Sequence, residues 1–369
     1  MTRRPLRRTA LVAAVGVLAL SGLAGTRSDA TVTQLSKAAP DAVAFVPITG
    51  STGSVFRGTG RVPFTRFGTD WAFRGRFSDD SGGDVFLYNP GSRPDGILHV
   101  SASGPSATTS FRSVNVNGTY RPLVGDFDGN TISDILWYAA GSAGDSLWLF
   151  RPDGTHSTVR VNIGGTYRPV VVDANGDDRD DIIWYGPGAA GDALWLFGTG
   201  GTYTSKSLKI GGDYVGVVGN WGMQVWGGPN EKVVWYSETG PDWYWRFDSS
   251  GNPTSYALPN IGAGYTPLVG RFLEESDQDI YWYKPGTGAE QLWAFGPTLE
   301  PDVAIQSDVP QVKGTYVPVT PDLDNNGFTD IVWSGAGSAS IWKWDFDGPT
   351  SSSVTGLPAD AMPVFVDMY

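Results

Sequence analysis

Cysteine is absent from this chain of 369 residues, so no disulfide can staple it and no thiolate can act as nucleophile or metal ligand. Histidine is almost absent, with His99 and His156 the only two. That excludes a multi-histidine zinc centre and leaves very little for a Ser-His-Asp triad. Charged residues make up 17% of the chain, fewer than the roughly 25% of an ordinary globular domain. No apolar run long enough to span a bilayer follows the amino-terminal segment. Phosphate loops of defined spacing are missing too, because the glycines follow a repeat. Glycine, aromatic residues and polar turn residues are what the chain has in quantity, the composition of many short strands joined by tight turns.

The first thirty residues stand apart. Arg3, Arg4, Arg7 and Arg8 precede the apolar run 10–24, and a polar stretch closes on Ser28-Asp29-Ala30. This is the layout of a signal peptide, residues 1–30, with cleavage after Ala30 or alternatively Ala24. An uncleaved anchor is the other reading of the same run. Arg3-Arg4 before Pro5-Leu6 hints at the twin-arginine route. Residues 31–40 read as a linker. Cleavage at Ala30 would leave 21 basic and 37 acidic residues and a net charge near −16. Such a charge argues against nucleic acid and anionic membrane surfaces as partners. The expectation is a secreted, extracellular monomer with no membrane insertion after cleavage. Without disulfides, its rigidity must come from core burial and bound metal.

From residue 41 onward the sequence repeats. Gly118-Thr-Tyr-Arg-Pro122 recurs as Gly165-Thr-Tyr-Arg-Pro169 and Gly314-Thr-Tyr-Val-Pro318, with looser copies at Gly212-Asp-Tyr214 and Gly264-Tyr-Thr-Pro267. Each leads into a short apolar strand, then a loop, then a second strand that four times carries Trp-Tyr, as at Trp137-Tyr138. A third strand follows with Trp-x-Phe, as in Leu147-Trp-Leu-Phe150. The third strand alternates with period two, and a turn such as Pro152-Asp-Gly154 returns the chain to a polar fourth strand. A period of about 45–50 residues marks a propeller or array. The fold expected is all-β, a seven-bladed β-propeller over 41–369 with its last blade closed by N- and C-terminal strands. In that blade Asp41–Val46 reads as the third strand, Ser54–Phe56 as the fourth and Met362–Asp367 as the first, with no second strand. Closure removes sheet edges that invite aggregation. A six-bladed ring with loose ends is the alternative count.

Three of the loops between first and second strands are acidic at regular spacing. The first holds Asp126, Asp128, Asn130 and Asp134, at loop positions 1, 3, 5 and 9; the second holds Asp173, Asn175, Asp177 and Asp181; the third holds Asp322, Asp324, Asn326 and Asp330. Each has three carboxylates and one amide, and the amide shifts position while the charge count stays. Closely spaced oxygen donors on a short flexible loop suit a hard cation, and calcium better than magnesium. Acidic turns solvated by water are the plainer reading of the same residues. Elsewhere the pattern decays. Arg76 and Arg271 take the first position in two blades that retain Asp84 and Asp279, and Lys232 takes the last position in another. A built-in cation answering the remaining acid is the expectation for those blades.

The pattern Asp-x-Asp-x-Asn-x-x-x-Asp at 126–134 and its copies at 173–181 and 322–330 resembles the FG-GAP (VCBS-type) repeats of integrin α-subunit propellers and of many secreted bacterial proteins. The resemblance covers about residues 41–369, although no Phe-Gly-Gly-Ala-Pro sequence is present. It implies a calcium ion in each loop, about three in all, with the backbone carbonyls of Ile132, Arg179 and Phe328 at position 7 completing the shells. It also permits a lectin, since propellers of this kind include lectins.

The resulting functional expectation is a binding module for extracellular glycan or cell-envelope polymer. A polysaccharide-cleaving enzyme is one alternative and a protein-binding adhesion or scaffold propeller another. Catalysis has little to work with, although a carboxylate pair of the glycosidase kind stays open. His99 and His156 read as structural. The Trp-Tyr and Trp-x-Phe sets, with Tyr120, Tyr167, Tyr214, Tyr265 and Tyr316, either wedge the blades apart or line clefts that stack on sugars.

Overall fold

In a computed structural model, the described residues are 41–367, leaving out 50, 58–59, 66–68, 80–81, 104–105, 142–143, 189–190, 223–230, 274–277, 287 and 297–300. The leader and linker expected over 1–40 lie outside them. The described chain forms seven antiparallel sheets of four strands each. In blade 2, for example, Arg121–Gly125, Asp134–Tyr138, Asp145–Phe150 and His156–Val161 pair in sequence order. Blades 1, 3, 4, 5 and 6 repeat that meander over 71–114, 168–208, 215–257, 266–306 and 317–355. First strands of neighbouring blades lie against one another, which places them around a common centre.

Burial falls from the inside outward, and the residue types follow. The second strands Asp134–Tyr138, Asp181–Tyr185, Lys232–Tyr236 and Asp279–Tyr283 are buried along their whole length. Both faces of such a strand meet a neighbouring blade, so it reads as a continuous apolar run rather than an alternation. Fourth strands such as Thr202–Leu208 and Thr350–Thr355 are mostly exposed and polar. The core is therefore seven inter-blade layers. One of them joins Phe73, Phe86 and Tyr88 of blade 1 to Val124, Trp137 and Trp148 of blade 2. Trp137, Trp184, Trp235, Trp282 and Trp333 each meet the third-strand tryptophan of their own blade edge-on, at 5.1–5.4 Å between ring centroids.

The closing blade corrects the sequence reading. Ala361–Val366 pairs with Ala42–Pro47, which pairs with Thr52–Arg57, which pairs with Gly60–Thr65. The blade is thus four-stranded, and the segment after Asp41 is its second strand, not its third. The run Ala42–Val46 is apolar without alternation and buried throughout, as second strands are. Had it been a third strand, the carboxy-terminal strand would have lacked a partner along one edge. With the observed register, all six residues from Ala361 to Val366 pair across the closure.

Three side-chain devices recur with the blades. Each Trp-Tyr tyrosine donates its hydroxyl to a turn glycine carbonyl and accepts the N–H of the tyrosine that follows. Tyr138 does this to Gly165 and Tyr167 at 2.9 and 2.9 Å, and Tyr88, Tyr185, Tyr236 and Tyr283 repeat it. The residue that opens the third strand clasps two loops. Asp145 accepts Ala139 N–H at 2.7 Å and Ile163 N–H at 2.8 Å, as Asp95, Asp192, Asp242 and Glu290 do at their own positions. Finally, the residue just before the second strand reaches into the preceding blade. Ser133, Asp180, Glu231, Gln278, Thr329 and Asp41 accept the backbone N–H of Arg76, Asp126, Asp173, Asn220, Arg271 and Asp322 at 2.6–2.9 Å. At the remaining junction that residue is Gly83, where an added Cβ would fall 2.1 Å from the Asp367 carbonyl.

Candidate functional sites: acidic loops and an aromatic cleft

The three acidic loops have one backbone. Positions 4 and 6 are left-handed in each: Gly129 and Thr131 (φ 81° and 70°), Gly176 and Asp178 (75° and 68°), Asn325 and Gly327 (60° and 85°). Two left-handed residues curl the loop so that side chains at odd positions converge, a conformation that favours Gly, Asn and Asp. Thr131 is the exception, a β-branched residue where such φ is uncommon.

In blade 2, Asp126 Oδ1 accepts Gly129 N–H at 2.8 Å and Asn130 N–H at 3.1 Å, and Oδ2 accepts Thr131 N–H at 2.7 Å. Asn130 Oδ1 accepts Ile132 N–H, and its amide donates to the Phe150 carbonyl. Asp134 accepts Phe127 N–H and Phe150 N–H, tying the loop to the second and third strands. Burial pushes Asp134 up to about 9, with Asp128 and Asp126 adding to the effect. The Ile132 side chain points into the core between blades 1 and 2. Blade 6 repeats the plan: Asp330 accepts Leu323 N–H and Trp344 N–H, Asn326 spans Phe328 N–H and the Trp344 carbonyl, and burial holds Asp330 at about 7.

Among the described residues, two carboxylate clusters bring one oxygen from each of three acids within 4.8 Å of the others: Asp126, Asp128 and Asp134, and Asp322, Asp324 and Asp330. Converging carboxylates, the first and last of each three buried and the middle one reaching solvent, are a donor set that fits a divalent cation. Oδ1 of Asp322 is moreover buried without a hydrogen-bond partner. Blade 3 differs. Asp173, Asn175, Asp177 and Asp181 hold the same positions, with Asp181 at about 8 and Asp173 at about 6 through burial. Asp177, however, is ion-paired with Arg179 at 3.2 Å, and this trio is not one of the gathered clusters.

In the degenerate loops the described contacts are these. Asp84 is met by His99, whose Nδ1 lies 2.9 Å from its Oδ1, so the partner comes from the third strand of the same blade. Arg76 ion-pairs Asp79 and reaches the Thr131 carbonyl of the next blade. Arg271 lies over the Phe328 ring of the following blade at 5.2 Å, while Asp279 accepts Phe272 and Leu273 N–H. Lys232 is buried where Asp134 stands in blade 2.

A second site appears between blades 3 and 4. A cleft of about 270 Å³ is lined by Lys209, Ile210, Gly211, Tyr214, Trp235, Trp243, Trp245 and Ser255. Blade 4 departs from its siblings here in two places. The residue paired with the buried second-strand tryptophan is Ser146, Ala193, Gln291 or Ser340 in other blades, but Trp243 in blade 4. In addition, rings from the fourth strand cover the third-strand tryptophans of blades 2 and 3. His156 stacks on Trp148 at 4.1 Å and Tyr203 on Trp195 at 3.8 Å. The residue at that place in blade 4 is Pro253, and Trp245 faces exposed Ser255. Trp243 was missed in the repeat reading because the motif begins one residue after it, although an extra tryptophan where other blades carry Ser, Ala or Gln is visible in the sequence. The expectation for His156 as structural agrees with its place against Trp148. Tyr120, Tyr167 and Tyr316 pack edge-on against Trp137, Trp184 and Trp333, so these wedge the blades.

No family model matches the sequence, and no curated protein is significantly similar to it. Solved structures are similar in fold. One is a lectin from Agrocybe aegerita, described for specific recognition of non-reducing terminal N-acetylglucosamine, with TM-score 0.67 and 12% identity over 90% of this chain and 96% of that one. A protein from Lactobacillus plantarum aligns with TM-score 0.57 and 13% identity over 89% of this chain and 100% of that one. A functionally unknown protein from Desulfotomaculum acetoxidans aligns with TM-score 0.55 and 10% identity over 88% and 99%. The class these observations define is a seven-bladed propeller of four-stranded blades.

Proposed function

We propose that this protein is an exported glycan-binding propeller of the FG-GAP/VCBS kind, in which calcium in the acidic loops holds strands together and the blade-4 cleft holds the sugar. The observation that carries the proposal is the cleft in which half-buried Trp243 and the edge of Trp245 stand beside Tyr214, Lys209 and Ser255. Flat aromatic faces with a few polar groups at the margin are the surface a pyranose ring stacks on and hydrogen-bonds to. The lectin neighbour makes terminal N-acetylglucosamine the first sugar to test, with cell-envelope polymers containing it next. The cleft lining includes no carboxylate, which favours binding over cleavage, since glycosidases need an acid pair across the bond. Large exposed hydrophobic residues among those described, Tyr203, Ile305 and Phe346, are spread over blades 3, 5 and 6. They form no single patch of the sort that docks protein.

The test is a glycan and polysaccharide array run in calcium and then in chelator. Binding to a restricted set of glycans, lost in Trp243→Ala with the melt unchanged, is the expected result. Absence of binding to any glycan would remove the proposal while leaving the fold intact.

A further inference from the structure

The three acidic loops share a backbone but not a charge environment. From that difference we infer that they are unequal cation sites, the blade-6 loop being the strong one and the blade-3 loop being kept weak by Arg179. The inference rests on the calcium reading above and concerns which residues of this chain set its strength.

In blade 6, Asp322 is 4% exposed, and its Oδ1 has no hydrogen-bond partner. Its Oδ2 accepts Gly327 N–H at the long distance of 3.2 Å. A carboxylate oxygen buried without a donor is costly, and a cation at the convergence of Asp322, Asp324 and Asp330 removes that cost. Two cations approach this cluster from its edge, Lys343 at 3.7 Å from Asp324 and Arg271, whose Nη1 lies 3.6 Å from where a Cβ on Gly327 would stand, and neither reaches Asp322 Oδ1. In blade 2 the equivalent Asp126 already accepts three backbone N–H groups. Arg179 also lies against that loop, with its Nε 2.8 Å from where a Cβ on Gly129 would stand, and Arg76 donates to Thr131 O at 3.4 Å. In blade 3, Arg179 Nη1 sits 3.2 Å from Asp177 Oδ2, and the three acids are not gathered. One guanidinium, fixed between two loops, therefore neutralises Asp177 and repels a divalent ion from both. The ranking that follows is blade 6, then blade 2, then blade 3.

Calcium calorimetry on the full chain tests this with Asp324→Asn, Asp128→Asn, Asp177→Asn and Arg179→Gln. Asp324 and Asp177 have side chains 34% and 35% exposed, so these variants keep the fold, checked by a melt in chelator that overlays the wild type. The tightest step is expected to vanish in Asp324→Asn and to survive in Asp177→Asn. Arg179→Gln leaves its own carbonyl in place and is expected to tighten a weak step roughly tenfold, the effect of removing one unit charge at such a distance. Loss of the tightest step in Asp177→Asn, its persistence in Asp324→Asn, or no change in Arg179→Gln overturns the inference. Three identical steps in the wild type also overturn it while leaving calcium binding intact. No heat with calcium and no chelator effect on the melt would remove both.

Discussion

Tyr138 illustrates how much a single side chain carries here. Its ring stands in the layer between blades 2 and 3, edge-on to Trp184, while its hydroxyl satisfies both Gly165 O and Tyr167 N–H. Tyr138→Phe keeps the packing and removes both bonds. An expected cost of about 1–3 kcal/mol follows, because two partly buried backbone groups lose their partner. Thermal melting of the variant reads it directly, and an unchanged midpoint would contradict the clasp. The sequence shows the Trp-Tyr and Gly-Thr-Tyr motifs plainly as repeats, but not that one bonds to the other. They lie 27 residues apart in blade 2 and meet only because each turn folds back onto the preceding blade. His99 is hidden for a similar reason. Its partner Asp84 becomes adjacent only once the second and third strands are in register.

At the scale of the loop, the acids are legible because ligand spacing is local, whereas their inequality is not. Arg179 reaches the blade-2 loop through space that only the assembled ring creates. The ion-free loops also carry a pH signature. Burial holds Asp134, Asp181 and Asp330 at about 9, about 8 and about 7 against an ordinary value of 3.8. Folded-state values above the unfolded ones mean that the ion-free fold binds more protons than the unfolded chain in between. Its stability therefore falls as pH rises from about 4 toward about 9. On the proposed reading, bound calcium would hold the same groups ionised, so the bound form would keep its stability at high pH and lose it as pH falls and protons displace the ion. Melts in chelator are expected to decline between about pH 5 and about pH 8, and melts in calcium to hold. At a hundred times the dissociation constant, each occupied loop adds about 2.7 kcal/mol. Parallel pH curves with and without calcium would contradict the assignment of the ion to these carboxylates.

Over the whole molecule, stability depends on closure. Arg74, buried in the first strand of blade 1, ion-pairs Asp367 and lies 3.7 Å over the Phe365 ring of the closing blade. Removing one member of a buried pair costs about 3–5 kcal/mol. Arg74→Ala is accordingly expected to lower the melting midpoint more than Tyr138→Phe, and a smaller effect would mean the ring closes through strand pairing alone. The blade count was readable from the repeat, because each unit carries its own turn and strand signals. The arrangement of the last blade was not, since its strands come from opposite ends of the chain and Asp41–Val46 resembles a third strand residue by residue. Only the unbroken burial of that segment, a property of its position in the ring, marks it as a second strand.

The central claim is that sugar recognition sits in one cleft of blade 4, apart from the acidic loops. Calorimetric titration of the tightest array ligand into wild-type protein and Trp243→Ala, both in calcium, tests it most directly. One ligand per chain in the wild type and no measurable heat in the variant is the predicted result. Several equivalent sites per chain, or unchanged binding by Trp243→Ala, would contradict it.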